Sequence, residues 1–126
     1  MGLFDQRVSE QKFAETMRHQ TKSLALRTIR LYRELPTTED ARVVGKQLLR
    51  SATSAAANYQ AVCRARSEAE YFAKLSITVE EADESARWLK IIIETDMLPG
   101  ARVLPLHVDF EEITAILAKA RKPASS

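Results

Sequence analysis

The sequence predicts an all-α protein, an antiparallel up-down-up-down four-helix bundle. Three observations lead there. Apolar residues recur at three- and four-residue spacings through four separate stretches, the period of a helix with one buried stripe. Turn or capping chemistry separates the stretches: Pro36, Ser67 and Leu98-Pro99-Gly100. Three Gly and four Pro in 126 residues leave little material for a turn-rich β fold, and helix formers such as Ala, Leu, Glu, Lys and Arg dominate. Four amphipathic helices with short joints pack as antiparallel neighbours.

Helix one is expected over about 10–35. Phe13, Met17, Leu24, Thr28 and Leu31 share one face, which Ala25, Ile29 and Tyr32 widen, and Pro36 stops the helix. Helix two is expected over about 38–60. Thr37, Thr38, Glu39 and Asp40 supply caps and early carboxylates, and Ala41, Val44, Leu48, Ala52, Ala55 and Tyr59 form its apolar stripe. Helix three, over 67–94, is roughly 40 Å long at about 1.5 Å per residue. Its stripe is Phe72, Leu75, Val79, Ala82, Ala86, Leu89 and Ile93. Helix four, over 105–120, starts at Pro105 and turns Leu106, Phe110, Ile113, Ile116 and Leu117 inward. Residues 1–8 and 122–126 read as mobile ends.

A chain of this length is one domain on size grounds, 1–126. Cys63 is the single cysteine, so no intrachain disulfide forms and a reducing compartment suits it. Met1–Gln6 contains no apolar h-region, and no run of about eighteen apolar residues occurs. The expected location is cytoplasmic, with no membrane contact. The formal net charge of +2 hides an asymmetry: residues 1–66 carry 12 Lys/Arg against 6 Asp/Glu, and residues 67–126 carry 7 against 11. Such polarity suits an anion-binding face or complementary faces in a self-assembly.

The densest information lies between Arg50 and Trp88. Ser51 to Ala57 contain no bulky side chain, so a neighbouring backbone can approach closely. Asn58-Tyr59 and the basic connector Cys63-Arg64-Ala65-Arg66 follow. Ser67 with Glu70 three residues on is a capping box, in which hydroxyl and carboxylate each satisfy an orphan backbone N–H. Arg50, Ala52, Ser54 and Asn58 match an Arg-x-Ala-x-Ser-x-x-x-Asn pattern, and Ser67, Glu70, Tyr71 and Leu75 match a Ser-x-x-Glu-aromatic helix start. With these residues the chain resembles the four-helix bundle family of the 23S rRNA intervening-sequence proteins, which also includes the accessory protein of diversity-generating retroelements. The resemblance extends from helix one into helix four. The chain departs from the commoner pattern at Gln60-Ala61-Val62, where many members read Ala-Glu-Gly, and at Ala56, often Pro. The resemblance implies an antiparallel bundle that commonly assembles as a ring-shaped homopentamer, with no known catalytic residue. Its retroelement branch implies a basic surface that binds nucleic acid and a protein that handles it.

Arg42, Lys46 and Arg50 lie at i, i+4 and i+8 on helix two, a line of like charges that repel unless anions offset them. Arg27, Arg30 and Arg33 form a second cluster on helix one, with Lys22 a turn earlier, and Arg64 and Arg66 mark the connector. Convergent Lys and Arg are what phosphate binding requires, so these eight residues (Lys22 apart) are the candidate contacts for RNA or DNA. The alternative is a solvated face, or salt bridges with the acidic half in a scaffold homo-oligomer that binds no nucleic acid. Zinc-finger spacing, a helix-turn-helix and an aromatic RNA-binding signature are absent from the sequence. Glu80, Glu81, Asp83 and Glu84 form an acidic cluster, and Glu80 and Glu84 could hold Mg²⁺ as in a metal-dependent phosphohydrolase. That chemistry needs a matching Glu-x-x-Asp on a second helix, and Glu94-Thr95-Asp96 has the wrong spacing. Neither His19 nor His107 follows a Glu by three residues, as a di-iron bundle requires. No enzyme activity, metal or cofactor is expected, and the acidic cluster should instead pair with arginines of a neighbouring helix or subunit. Cys63 beside Arg64 could have a lowered pKa, the alternative being a buried or merely tolerated thiol. Tyr59 and Trp88 read as bundle or interface aromatics, and Leu26, Leu49 and Ile91 or Ile92 as residues for a subunit seam.

Overall fold

Four helices account for nearly all of the chain: α1 (Leu3–Glu34), α2 (Glu39–Cys63), α3 (Glu68–Glu94) and α4 (Gly100–Arg121). This computed structural model describes residues 2–121. The expected tail 122–126 lies outside the described residues, as does Met1. The joints are so short that successive helices run antiparallel. The α2–α3 and α3–α4 pairs pack most extensively, α1–α2 next, and α1–α4 closes the bundle loosely. The fold is the all-α four-helix bundle that the apolar stripes predict.

The stripes supply the core. Met17, Leu24, Ala25, Thr28 and Leu31 of α1 are buried, as are Ala41, Leu48, Ala52, Ala55 and Tyr59 of α2. From α3 come Leu75, Val79, Ala82, Ala86 and Leu89, and from α4 Leu106, Phe110, Ile113 and Leu117. Phe13 and Phe72, expected inside, are instead 37% and 48% exposed. Phe72 lies in the second turn of α3, and Phe13 about three turns into α1 on the wall of an open groove. Of the pair Ile91 and Ile92, the second is fully buried and only Ile91 remains at the surface.

Two helix starts differ from expectation. α1 begins at Leu3 rather than near Glu10. The stretch from Asp5 to Lys12 is almost wholly exposed, so it carries no stripe for periodicity to detect. α4 begins at Gly100, with Pro105 inside its second turn. Proline removes the N–H that would reach the Ala101 carbonyl. Ala101 and Pro105 both face solvent, where water can satisfy that carbonyl. α2 also runs on to Cys63, past the expected end near residue 60.

The helix ends follow local chemistry. Leu35, ahead of Pro36, is extended with ψ 145°, as the proline ring demands of its predecessor. Thr38 is the N-cap of α2 but makes no side-chain cap bond; Asp40 Oδ1 instead accepts from the Ala41 N–H at 2.9 Å. At α3 the Ser67 hydroxyl accepts from the Glu70 N–H at 3.1 Å. The reciprocal half of the capping box is shifted by one residue: Glu70 accepts from the Arg66 N–H at 3.4 Å rather than from Ser67. α3 ends in a Schellman turn, with Asp96 at φ 56°, Asp96 N–H donating to Ile93 O and Met97 N–H to Ile92 O.

α2 and α3 are held close by small residues. Ser51 and Ser85, both fully buried, share a hydrogen bond of 2.8 Å across the seam. Each hydroxyl also has a carbonyl of its own helix in reach, Ser51 that of Leu48 at 3.1 Å and Ser85 that of Glu81 at 2.9 Å, so one hydroxyl donates across the seam while the other accepts there and donates to its carbonyl. Buried Thr28 and Thr78 likewise donate to carbonyls one turn earlier. Among the described residues no buried side-chain polar atom lacks a partner. Gly45 performs a similar service between α1 and α2: a Cβ there would lie 2.7 Å from Leu35 and 3.0 Å from the Tyr32 ring.

Two stability changes follow. Gly45→Val overpacks the α1–α2 corner and should cost about 1–3 kcal/mol in urea unfolding. Ser67→Ala removes the N-cap acceptor and should cost about 1 kcal/mol by the same measurement, with no change in helix content by circular dichroism.

Candidate nucleic-acid interface

The eight candidate cations divide by what faces them. Arg50, half-exposed at the outer edge of the α2–α3 seam, donates to Glu81 Oε2 at 3.0 Å and to Glu84 Oε2. Desolvation works against its charge, but the attraction and hydrogen bonds of the two glutamates outweigh this and raise its pKa. Glu84 also accepts from the Trp88 indole N–H at 3.2 Å. Arg27 reaches from α1 to Asp109 of α4 at 2.7 Å, and Arg66 stands 4.0 Å from Glu70. The expected pairing of the acidic cluster with a neighbouring helix is therefore present within one chain, through Glu81 and Glu84. Arg50 consequently does not extend the Arg42–Lys46 line as a free charge; it latches α2 to α3.

Arg30, Arg33, Arg42, Lys46 and Arg64 are exposed and have no carboxylate within ion-pair distance among the described residues. They are not one patch. Arg33 and Arg42 flank a small cleft of about 200 Å³ at the α1–α2 corner, with Tyr32 and Pro36 between them, and Lys46 follows one turn along α2. Arg64 lies at the other end of the bundle, on the α2–α3 connector. Two acids near the corner have partners of their own. Glu34 is gripped by Arg102 of α4, whose Nε donates at 3.0 and 3.1 Å. Asp40 accepts from the Thr38 side chain and the Ala41 N–H, which lower its pKa. Glu39 and Asp40, in the first turn of α2, keep their negative charge beside the corner, so Arg33, Arg42 and Lys46 are unpaired there, among the described residues, within a mixed field.

The carboxylates that would bind a metal in a phosphohydrolase are arranged otherwise. Glu84, expected to share a site with Glu80, is turned onto Arg50 and Trp88. Among the described residues no group of three or more His, Cys, Asp and Glu converges in a metal-holding arrangement. His107 serves the α3–α4 seam, its Nδ1 2.9 Å from Ala86 O and its Nε2 3.2 Å from Glu111.

The thiol of Cys63 is not activated. Its partial desolvation raises the pKa against the opposing pull of Arg18 and Arg64, so the lowering that Arg64 alone suggests is overturned. Burial likewise pushes Tyr59 far above its ordinary value. Cys63, Tyr59, Phe13 and Tyr71 line an open groove of about 790 Å³ between the first turns of α1 and the α2–α3 corner. Nothing in the sequence signals this aromatic grouping, because Phe13 and Tyr71 come to one groove only through the packing of α1 and α3 on the two sides of α2. Sequence inspection also missed Glu34–Arg102 and Asp109, whose only sequence signal was opposite charge on helices that must be neighbours.

No described helix is long and apolar enough to cross a membrane. The pattern of residues 16–119 matches the family described as 23S rRNA-intervening sequence protein, and the chain belongs to that family. No curated protein matches it. Among solved structures it is similar to a protein with unknown function from the S23 ribosomal protein family of Bacteroides thetaiotaomicron. The two share 30% identity and a TM-score of 0.80, over 87% of this chain and 98% of the other.

The Arg50 bridge yields a stability expectation. Arg50→Glu places a third carboxylate against Glu81 and Glu84, and the unfolding free energy should fall by about 1 kcal/mol or more at low salt. The loss should shrink as ionic strength rises, which a urea series at two salt concentrations reads directly.

Proposed function

We propose that this member of the 23S rRNA-intervening sequence protein family is a non-enzymatic, self-associating module that binds nucleic acid through its α1–α2 corner. One observation carries the proposal: Arg33 and Arg42 both line the corner cleft, with Lys46 a turn beyond, and none of the three has a carboxylate within ion-pair distance among the described residues, Glu34 being held by Arg102. Guanidinium groups so arranged suit phosphate, which they can grip in bidentate fashion. No base-reading element accompanies them, so binding would follow backbone charge and fall with salt. Self-association multiplies the effect, since several weak corners on one assembly bind a long polyanion with avidity. A homopentamer is the form that the sequence resemblance implies. Support for a subunit seam comes from exposed apolar residues: Leu104 and Val108, one turn apart on α4, are 50% and 45% exposed, and Leu26 and Ile91 also reach the surface.

The same exposed apolar residues favour a second reading, a scaffold homo-oligomer with no nucleic-acid role. Its assembly would rest on apolar area, and light scattering would show an unchanged mass in rising salt. The two readings part on binding.

Fluorescence anisotropy with a structured RNA and a duplex DNA, across a salt series, tests the corner. The wild type should bind with a Kd of roughly micromolar at low salt and weaken steadily as salt rises. Arg33→Glu/Arg42→Glu/Lys46→Glu should lose at least about tenfold in affinity while keeping the oligomeric mass. Arg50 is left intact in this variant because it holds α2 to α3. Absence of binding by the wild type near physiological salt would favour the scaffold or a protein partner.

A further inference from the structure

At the opposite end of the bundle from the corner lies the groove of about 790 Å³, well within the range of about 300–1,000 Å³ that small ligands occupy. Its floor is apolar: Tyr59 and Val62 are buried to within 3% and 5% of full coverage. Its flanks are aromatic and open. Phe13 of α1 is 37% exposed and Tyr71 of α3 is 41% exposed, and both line the space, as does Cys63. Its surroundings are basic. Arg7 lines the groove, and Arg18 and Arg64 are close enough to act on the Cys63 thiol. Glu10 is the only carboxylate among the lining residues, and the nearby Arg66 is matched by Glu70.

We propose that this groove receives unpaired nucleotides, with bases stacking on Phe13 and Tyr71 and phosphates facing Arg7, Arg18 and Arg64. The charge complementarity decides the occupant. An apolar helix would gain nothing from Arg7 in the wall or from Arg18 and Arg64 nearby, whereas a single strand brings flat rings and anionic linkages together. A duplex keeps its base faces inside its own stack and cannot use the aromatic side chains. Aromatic platforms beside Arg residues accept any base, because every base has a π-face. Phe13 and Arg33 are about 30 Å apart along α1 at 1.5 Å per residue, so corner and groove are separate sites. The inference rests on the reading of this chain as a nucleic-acid binder and names the form of nucleic acid.

Anisotropy with three labelled probes tests it: a uridine oligonucleotide, an abasic strand of the same length, and a duplex. The wild type should bind the uridine strand at least about tenfold more tightly than the abasic strand, given the usual worth of base–aromatic stacking. Phe13→Ala/Tyr71→Ala should abolish that preference while leaving duplex affinity, helix content and oligomeric mass unchanged. Tyr71→Phe should preserve it, and so should Phe72→Ala, which removes a still more exposed ring that does not line the groove. Equal binding of the uridine and abasic strands by the wild type would overturn the groove as a stacking site and leave the corner standing. So would a preference that survives in the double variant. A change of oligomeric mass in the double variant would assign the groove to a seam between copies and overturn it as well. Failure of the wild type to bind any of the three probes would remove the corner and the groove together. Should the double variant fail to fold, the uridine-to-abasic comparison in the wild type still decides.

Discussion

Everything in this bundle depends on how closely α2 and α3 approach each other. The approach requires side chains that occupy almost no space, and Ser51, Ala52, Ala55, Ala82, Ser85 and Ala86 meet that requirement. Two of these are serines, and burying a hydroxyl without a partner is costly. The cost is offset by the Ser51–Ser85 hydrogen bond and by carbonyls within each helix. At the solvent edge of the same seam, Arg50 closes over Glu81 and Glu84, and Trp88 joins through its indole. The seam therefore runs from a dry interior of small residues to a charged exterior. The other helices then pack onto the two sides of this pair, α1 beside α2 and α4 beside α3.

That organisation changes what the sequence signature means. Arg50, Ala52, Ser54 and Asn58 carry the resemblance to the family, and each has an architectural task. Arg50 bridges to α3, Ala52 is 1% exposed in the core, and the Asn58 amide donates to the Ser54 carbonyl and hydroxyl within α2. Ser67 and Glu70 shape the start of α3. The motif thus specifies mainly a way of packing two helices; the corner cations lie outside it, and of the groove residues it includes Tyr71 alone. Membership of the family speaks to the fold, while a binding role has to be argued from surface residues such as Arg33, Arg42, Phe13 and Tyr71.

The fold was legible in the sequence because a buried stripe leaves a periodic trace, as in Leu75, Val79, Ala82, Ala86 and Leu89. Where burial is missing the trace is missing too, as in the first turns of α1, whereas Phe13 and Phe72 keep the apolar period and yet are exposed, since period alone does not show whether a neighbouring helix covers the position. Pro105 misled for another reason: a proline suits a first turn so well that its place in a second turn, made tolerable by exposure, was not suggested. The charges were legible as types but not as partners. Nothing in the spacing of Arg42, Lys46 and Arg50 distinguishes the third from the first two; only the register fixed at Ser51 and Ser85 brings Arg50 onto the glutamates. The aromatic groove was hidden in a similar way, since its flanks, Phe13 of α1 and Tyr71 of α3, are brought together only by the packing of both helices against α2.

The loose contact between α1 and α4 has a consequence for how the chain reaches this structure. Almost all extensive packing joins helices that are consecutive in sequence, so the loops closed at each step are short and the entropy lost in closing them is small. Only the Arg27–Asp109 and Glu34–Arg102 bridges and the modest apolar contact around them span most of the chain. A molecule with this topology has a low contact order and belongs with the rapid folders among small domains. The meeting of first helix with last is the contact of greatest sequence separation, and so the one whose closure costs the most chain entropy.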